Sequence, residues 1–381
     1  MWAKFALNRL IISLAIILIL VVAAAGAAFI WSGLYNVAAS RDHFWVTTWI
    51  LEKVREQSVE THSAFIETPP LNDPDLVRLG AAHYEGGCVP CHSRPGEPIN
   101  AIVSQMLPSP PHLADVTAGQ PPEELHWIVK HGLKYTGMPA WPAPIRNDEV
   151  WALTAFLMEL AGGEMDNYRQ LAGLDRVPPG ALAGTEPTHQ TEAVALTQCI
   201  RCHDDAAVST ISSLVPKLGG QSIGYLERAL KEYTARVRPS GIMQPVATHL
   251  DDREIAKIAD YYANLDAQPG QRGIDPARIA RGQALATEGD PQNAIPRCLA
   301  CHSHSRAAEF PALAGQHVEY LAGQLRVWQS GGRDSTAYGQ IMAPIARRLT
   351  EEQILDVAAY FASLPPEAYR NDSASASPDS K

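Results

Sequence analysis

Hydrophobic positions along the chain follow two regimes. From Leu10 to Trp31 they run without a charged residue, with Lys4 and Arg9 ahead of the run and no acidic residue before Asp42. As a helix this stretch rises about 33 Å, enough to cross the hydrocarbon layer of a bilayer. Basic residues are retained on the cytoplasmic side, so the flank predicts an N-in, C-out orientation. Ala25-Gly26-Ala27 offers the small residues of a signal cleavage site. The apolar run continues past them to Trp31, so residues 1–31 read as an uncleaved anchor; on either reading the remainder is exported.

Beyond the anchor the apolar residues return at helical intervals. Trp45, Trp49, Ile50 and Val54 alternate with Glu52, Lys53, Arg55 and Glu56, predicting a helix from Asp42 to about Gln57 within a juxtamembrane segment, 32–69. Trp45 and Trp49 suit either the headgroup level or a packing role against the next domain. Further helices are predicted over Leu76–Tyr84, Glu123–His131, Asp148–Leu160, Asp252–Leu265 and Glu351–Leu364. Turn-rich segments divide them. A linker over 164–187 carries Val177-Pro178-Pro179-Gly180 and ends at Pro187, and the tail 371–381 lacks apolar periodicity and reads as disordered. The resulting domains are 70–163, 188–268 and 275–368, within what 381 residues can bury.

The last two domains repeat each other. His203 to Met243 and His302 to Met342 are equal spans, offset by 99 residues. Pro216-Lys217-Leu218-Gly219-Gly220-Gln221 matches Pro311-Ala312-Leu313-Ala314-Gly315-Gln316, followed by Tyr225-Leu226 and Tyr320-Leu321. Packing alone does not reproduce such a matched set.

Chemistry enters with the cysteines. All six lie in three pentads, Cys88-Val89-Pro90-Cys91-His92, Cys199-Ile200-Arg201-Cys202-His203 and Cys298-Leu299-Ala300-Cys301-His302. In this pattern both thiols add across the vinyl groups of one haem while the adjacent imidazole reaches the iron. Zinc knuckles or redox dithiols would not require a His after every second Cys, and no cysteine is left for a disulfide or a nucleophile. A downstream Met follows each pentad as candidate sixth ligand: Met138, Met243 and Met342. Met is more often a core filler, but Met138 stands between Gly137 and Pro139 in a loop. Met106 and His131 are the fallbacks there, Met158 reads as packing in the closing helix, and Met165 receives no role.

All three domains resemble class I c-type cytochromes. The second and third are similar to dihaem members with two like halves, and the first to monohaem domains with the signature Lys130-His131-Gly132…Thr136-Gly137-Met138-Pro139-Ala140-Trp141. The resemblance implies an all-α fold, an N-terminal transmembrane helix followed by three class I cytochrome c domains, with three covalently bound haem c groups facing the periplasm. It also implies that a Pro carbonyl orients each axial imidazole: Pro216, Pro311, and either Pro110 or Pro111 in the first domain. Ser93, Asp204 and Ser303 depart from the family, which usually has Gly after the axial His.

Such low-spin His/Met centres relay electrons without binding substrate, so an electron-transfer protein is expected rather than a catalyst. The leading expectation is delivery to a terminal haem-copper oxidase from a quinol-oxidising complex or soluble cytochrome. The alternative is the cytochrome subunit of a periplasmic dehydrogenase oxidising an alcohol, aldehyde, sugar or sulfur compound. The partners are redox proteins and the inner membrane, not nucleic acid. Residues 70–165 carry 5 basic against 11 acidic side chains, which would draw a basic partner surface toward the first domain.

Overall fold

Helix α1 (Trp2–Ser32) has no polar stripe and lies open along its described length: Leu18 and Ile19 are 65% and 66% exposed. Its segment Leu7–Ser32 contains an 18-residue window with a mean hydropathy of 3.0, and is long and apolar enough to cross a membrane. Helix α2 (Trp45–Ser63) divides the two roles foreseen for it. Trp45 and Trp49 stay exposed, while Val59 and Ser63 are buried and the His62 ring lies 5.7 Å from that of Trp127. The computed structural model describes residues 2–161, 165–177, 192–303 and 310–365; the tail 371–381 and residues 178–187 of the expected linker lie outside them.

The first unit contains α3 (Pro74–Gly87), α4 (Val89–His92), α5 (Leu113–Val116), α6 (Pro122–His131), α7 (Asn147–Leu160) and α8 (Tyr168–Leu171). Asp73 caps α3 by accepting from Asp75 N, with Pro74 in the first turn, where its missing N–H costs nothing. Helices α3 and α7 cross so closely that a Cβ on Gly80 would lie 2.1 Å from Ala152 O. Around that crossing Tyr84, Val150, Leu153, Phe156 and Leu160 form the core. The stretch expected as linker is different in its described part. Tyr168, Ala172 and Leu174 are buried in this core, and Tyr168 Oη donates to Glu85 Oε2 at 2.7 Å. Apolar residues four apart on a short helix are what fix it there.

The second unit contains α9 (Glu192–Ile200), α10 (Ile223–Thr234), α11 (Met243–Ala247) and α12 (Asp252–Asn264), closed by Leu226, Ile258, Ala259 and Tyr262. The third contains α13 (Pro276–Glu288), α14 (Val318–Gln329), α15 (Ala337–Ala346) and α16 (Glu351–Ser363). There Gly282 repeats the close crossing, where a Cβ would lie 2.0 Å from Asp356 O, and Arg281 pairs with Asp356 at 2.7 Å. Capping boxes begin α12 and α16 at matching places in the repeat, Asp251 with Glu254 and Thr350 with Gln353. The fold is all-α; among the described residues the pairing of Asp290 with Ile295 is an isolated bridge and no strand is present.

The second and third units pair through the matched loops. Gln221 Nε2 donates to Ala312 O at 2.8 Å and Gln316 Nε2 to Lys217 O at 3.0 Å. Each side-chain oxygen accepts from the same partner residue's N–H, both at 3.0 Å. The first unit docks on the second through other residues. Arg201 Nη1 donates to Ala82 O at 2.7 Å and Ala172 O at 3.2 Å, Ser213 Oγ donates to Asp75 Oδ2 at 2.6 Å, and Ala82 packs with Ile211 and Val215.

Candidate functional site

Each pentad forms one helical turn. The axial His N–H donates to the first Cys carbonyl at 2.8 Å (His92 to Cys88), 2.9 Å (His203 to Cys199) and 2.9 Å (His302 to Cys298). Both thiols and the imidazole are thereby fixed within a single turn. All six cysteines are partly buried and none is in a disulfide. Burial pushes the Cys88 and Cys199 thiols up to about 12 and Cys298 up to about 11, away from the thiolate form a nucleophile needs.

The imidazoles are oriented alike. His92 Nδ1 lies 2.8 Å from Pro111 O, His203 Nδ1 2.9 Å from Pro216 O and His302 Nδ1 3.3 Å from Pro311 O. Of the two alternatives in the first unit, the geometry selects Pro111. A carbonyl only accepts, so Nδ1 carries the proton and the Nε2 lone pair is left for a metal. Burial holds all three imidazoles below their ordinary value, partly opposed by the Pro carbonyls, so they are neutral donors at neutral pH.

Two of the residues standing where Gly is usual have structural work. Ser93 adopts φ 59°, is buried, and donates Oγ to Pro98 O at 2.9 Å. Asp204 is fully buried and accepts from Leu218 N at 2.6 Å and Gly219 N at 3.1 Å. It therefore pins the loop bearing both Pro216 and Gln221.

The methionine loops differ in form. Helix α6 ends at His131 because Gly132, at φ 63°, turns the chain beneath the returning Met138–Pro139 backbone; a Cβ there would lie 2.6 Å from Met138 O. Thr136 Oγ1 accepts from Met138 N at 3.0 Å and Trp141 N donates to Lys130 O at 3.0 Å. The signature residues are thus the parts of one closed loop. Met106 reaches the same loop, its Cε 1.9 Å from where a Gly137 Cβ would stand. His131 is exposed beside Trp127, and Met158 is half-buried in α7. Met243 opens α11 and Met342 lies in α15, two residues before Pro344.

One cavity of about 1250 Å³ runs through the second and third units and is bordered by the first at His83, Arg146 and Glu149. It is lined by Cys199, Cys202, His203 and Met243 from one and by Cys298, Cys301, His302 and Met342 from the other. Arg238 and Arg333 also line it, stacked on Tyr233 at 4.6 Å and Trp328 at 4.1 Å. Arg238 Nε and Trp328 Nε1 are buried with no hydrogen-bond partner. Burial, and then the neighbouring Arg238, hold Arg333 below its ordinary value. Burial opposes, but the two guanidiniums outweigh it and draw the Tyr225 phenol down. Buried cations and orphaned donors call for anionic acceptors. Haem fits this donor set: thiols for its vinyl groups, imidazole and thioether for iron, guanidinium and indole N–H for its carboxylates.

A thiosulfate dehydrogenase electron acceptor of Stutzerimonas stutzeri is 34% identical over 180 residues, covering 45% of this chain and 80% of the relative. Cytochrome c-552 of Acidithiobacillus ferridurans is 37% identical, over 44% of this chain and 74% of that protein. Cytochrome c4 of Pseudomonas aeruginosa is 32% identical, over 51% of this chain and 93% of the relative. The chain belongs to the c-type cytochromes. The family profile described as cytochrome c oxidase, cbb3-type, subunit III matches residues 75–157 of this cytochrome. Haem, when bound, supplies a one-electron iron couple. The cytochrome's own residues hold it covalently, keep the imidazoles neutral and oriented, and place buried positive charge beside the cavity.

Sequence reasoning passed over Arg238 and Arg333 and marked Asp204 only as a departure from the usual Gly. The repeat held the signal for the arginines: they are offset by 95 residues, as are Gln221 and Gln316. Asp204 had no such signal, because its partners are backbone N–H groups that only the folded loop presents.

Proposed function

We propose that this cytochrome is a membrane-anchored periplasmic relay carrying three haem c groups. In this reading it takes electrons from a sulfur-compound dehydrogenase and passes them to a terminal haem-copper oxidase. The haem domains are 70–163, 188–268 and 275–368. Cys88, Cys91, His92 and Met138 serve the first haem; Cys199, Cys202, His203 and Met243 the second; Cys298, Cys301, His302 and Met342 the third. The observation that carries the reading is the identical one-turn pentad, with its Nδ1 contact to a Pro carbonyl, present three times. The α1 helix supplies the anchor, with Trp45 and Trp49 at the headgroup level.

The partners are inferred from likeness. The oxidase-subunit profile falls on the first domain. Relatives from two organisms are named thiosulfate dehydrogenase electron acceptors. Their alignments, of 180 and 172 residues, have about the length that the second and third domains fill together. Electrons then enter at the paired domains and leave at the acidic first domain.

Two measurements test this. The ratio of haem to protein in the purified chain, from the reduced pyridine adduct, is expected to be three, and a lower ratio removes the corresponding site. Stopped-flow mixing with a thiosulfate-reduced dehydrogenase should reduce the haems, and subsequent mixing with the oxidase should reoxidise them. Reduction by a quinol-oxidising complex and not by the dehydrogenase would overturn the input side and leave an oxidase donor fed from quinol.

A further inference from the structure

The loops carrying Met138 and Met243 meet at one buried carboxylate. Glu149, in the first turn of α7, is 4% exposed. Its Oε1 accepts from Ser240 Oγ at 2.6 Å and pairs with Arg146 Nη1 at 2.8 Å. Its Oε2 accepts from Gly241 N at 2.6 Å and from Trp141 Nε1 at 3.4 Å. Ser240 Oγ in turn accepts from Ile242 N at 3.3 Å and Met243 N at 3.0 Å. On the other side, Trp141 stands three residues after Met138 in the same closed loop. A Cβ on Gly241 would lie 2.1 Å from Trp141 Nε1, so the indole rests on the backbone two residues before Met243. Arg146 Nη1 completes the joint by donating to Pro239 O at 3.1 Å.

We infer that Glu149 is a positioning residue that locks the axial-methionine loops of the first and second domains together across their joint. Every group around its two oxygens is a donor, which an ionised carboxylate satisfies and an amide or methyl does not. Without it the Ser240 hydroxyl, the Gly241 N–H and the Arg146 guanidinium lose a buried acceptor, and both loops are released. The third domain supplies none of these hydrogen bonds and approaches the cluster at the Arg146 stem, whose Cδ would lie 3.6 Å from a Cβ on Gly332. Glu149 therefore couples the first two haem centres and leaves the third alone. The inference rests on the His/Met reading proposed above.

The test uses the full haem-loaded chain. The far-red ferric band that reports Met ligation is followed through a spectroelectrochemical titration. Met138→Ala, Met243→Ala and Met342→Ala each assign one component. If those substitutions leave the band intact, the ligand reading fails, and the lock with it, whatever Glu149 does. With the components assigned, Glu149→Gln and Glu149→Ala are expected to weaken the first and second bands and shift both midpoint potentials, the third keeping its wild-type values. Ser240→Ala, a milder change, is expected to move the second component alone. Unchanged components in Glu149→Gln, or an equal shift of all three, overturn the lock. If Glu149→Ala does not accumulate folded, Ser240→Ala decides, and a wild-type second component there overturns it equally.

Discussion

Across the joint between the second and third units, Gln221 grips Ala312 and Gln316 grips Lys217, the same residue acting from either side. Across the joint between the first and second, Arg201, Glu149 and Asp75 each make a contact that nothing returns in kind. The first arrangement is that of a two-fold interface built inside one chain: a single loop, repeated, complements itself. Its reciprocal pairs are neutral amides, so little is spent on desolvating them. The second is heterologous and places charged groups where water is excluded, which requires each to be satisfied individually. A repeated joint tolerates divergence: the two glutamines read only the backbones of Ala312 and Lys217, and Lys217 adds an unmatched contact of its own, Nζ donating to Gly315 O at 2.7 Å. A one-off joint depends on particular side chains.

The largest expected effect follows from that dependence. Arg201→Leu leaves the carbonyls of Ala82 and Ala172 buried without a donor and should cost about 3 kcal/mol, read as a lowered denaturation midpoint of the haem-loaded protein. A loss under about 0.5 kcal/mol, the size of an ordinary surface substitution, would show that the first joint does not need its buried charge. Next come Gln221→Ala and Gln316→Ala. Each removes a reciprocal pair of hydrogen bonds worth about 1–2 kcal/mol, and the two costs should match. Unequal costs would break the symmetry described here.

The smallest effect concerns acid. His83 lies at the first joint, 4.7 Å from the Trp141 ring, and burial and then Arg201 push it down from 6.5 to about 4. The folded state therefore favours the neutral imidazole, and the unfolded chain binds the extra proton first. Its contribution is complete above pH 6.5 and falls away as pH drops towards about 4. Thermal unfolding across that window should be flatter in His83→Phe than in the wild type. An identical pH profile would remove His83 from the joint's acid response.

Much of this was legible beforehand. The long apolar helix, the helices over 123–131, 148–160 and 351–364, and the three pentads could all be read because each rests on local rules: apolar run length, helical period, and residues held within one turn. The Pro carbonyls at Pro216 and Pro311 were legible through the resemblance to class I c-type cytochromes. The extent of the first core was less so, since Tyr168 and Ala172 sit in a stretch whose Pro and Gly residues suggested a connection.

The sequence by itself determined which atoms can hold haem and that two of the units share one plan, because covalent attachment and internal repetition are both written in adjacent residues. Only the tertiary structure decided how the units meet. Glu149 and Ser240 are 91 residues apart, and Arg201 and Ala82 are 119 apart. No local periodicity records such a pair. A carboxylate on a helix reads as an ordinary solvated charge until folding closes another domain over it and makes its hydrogen bonds obligatory.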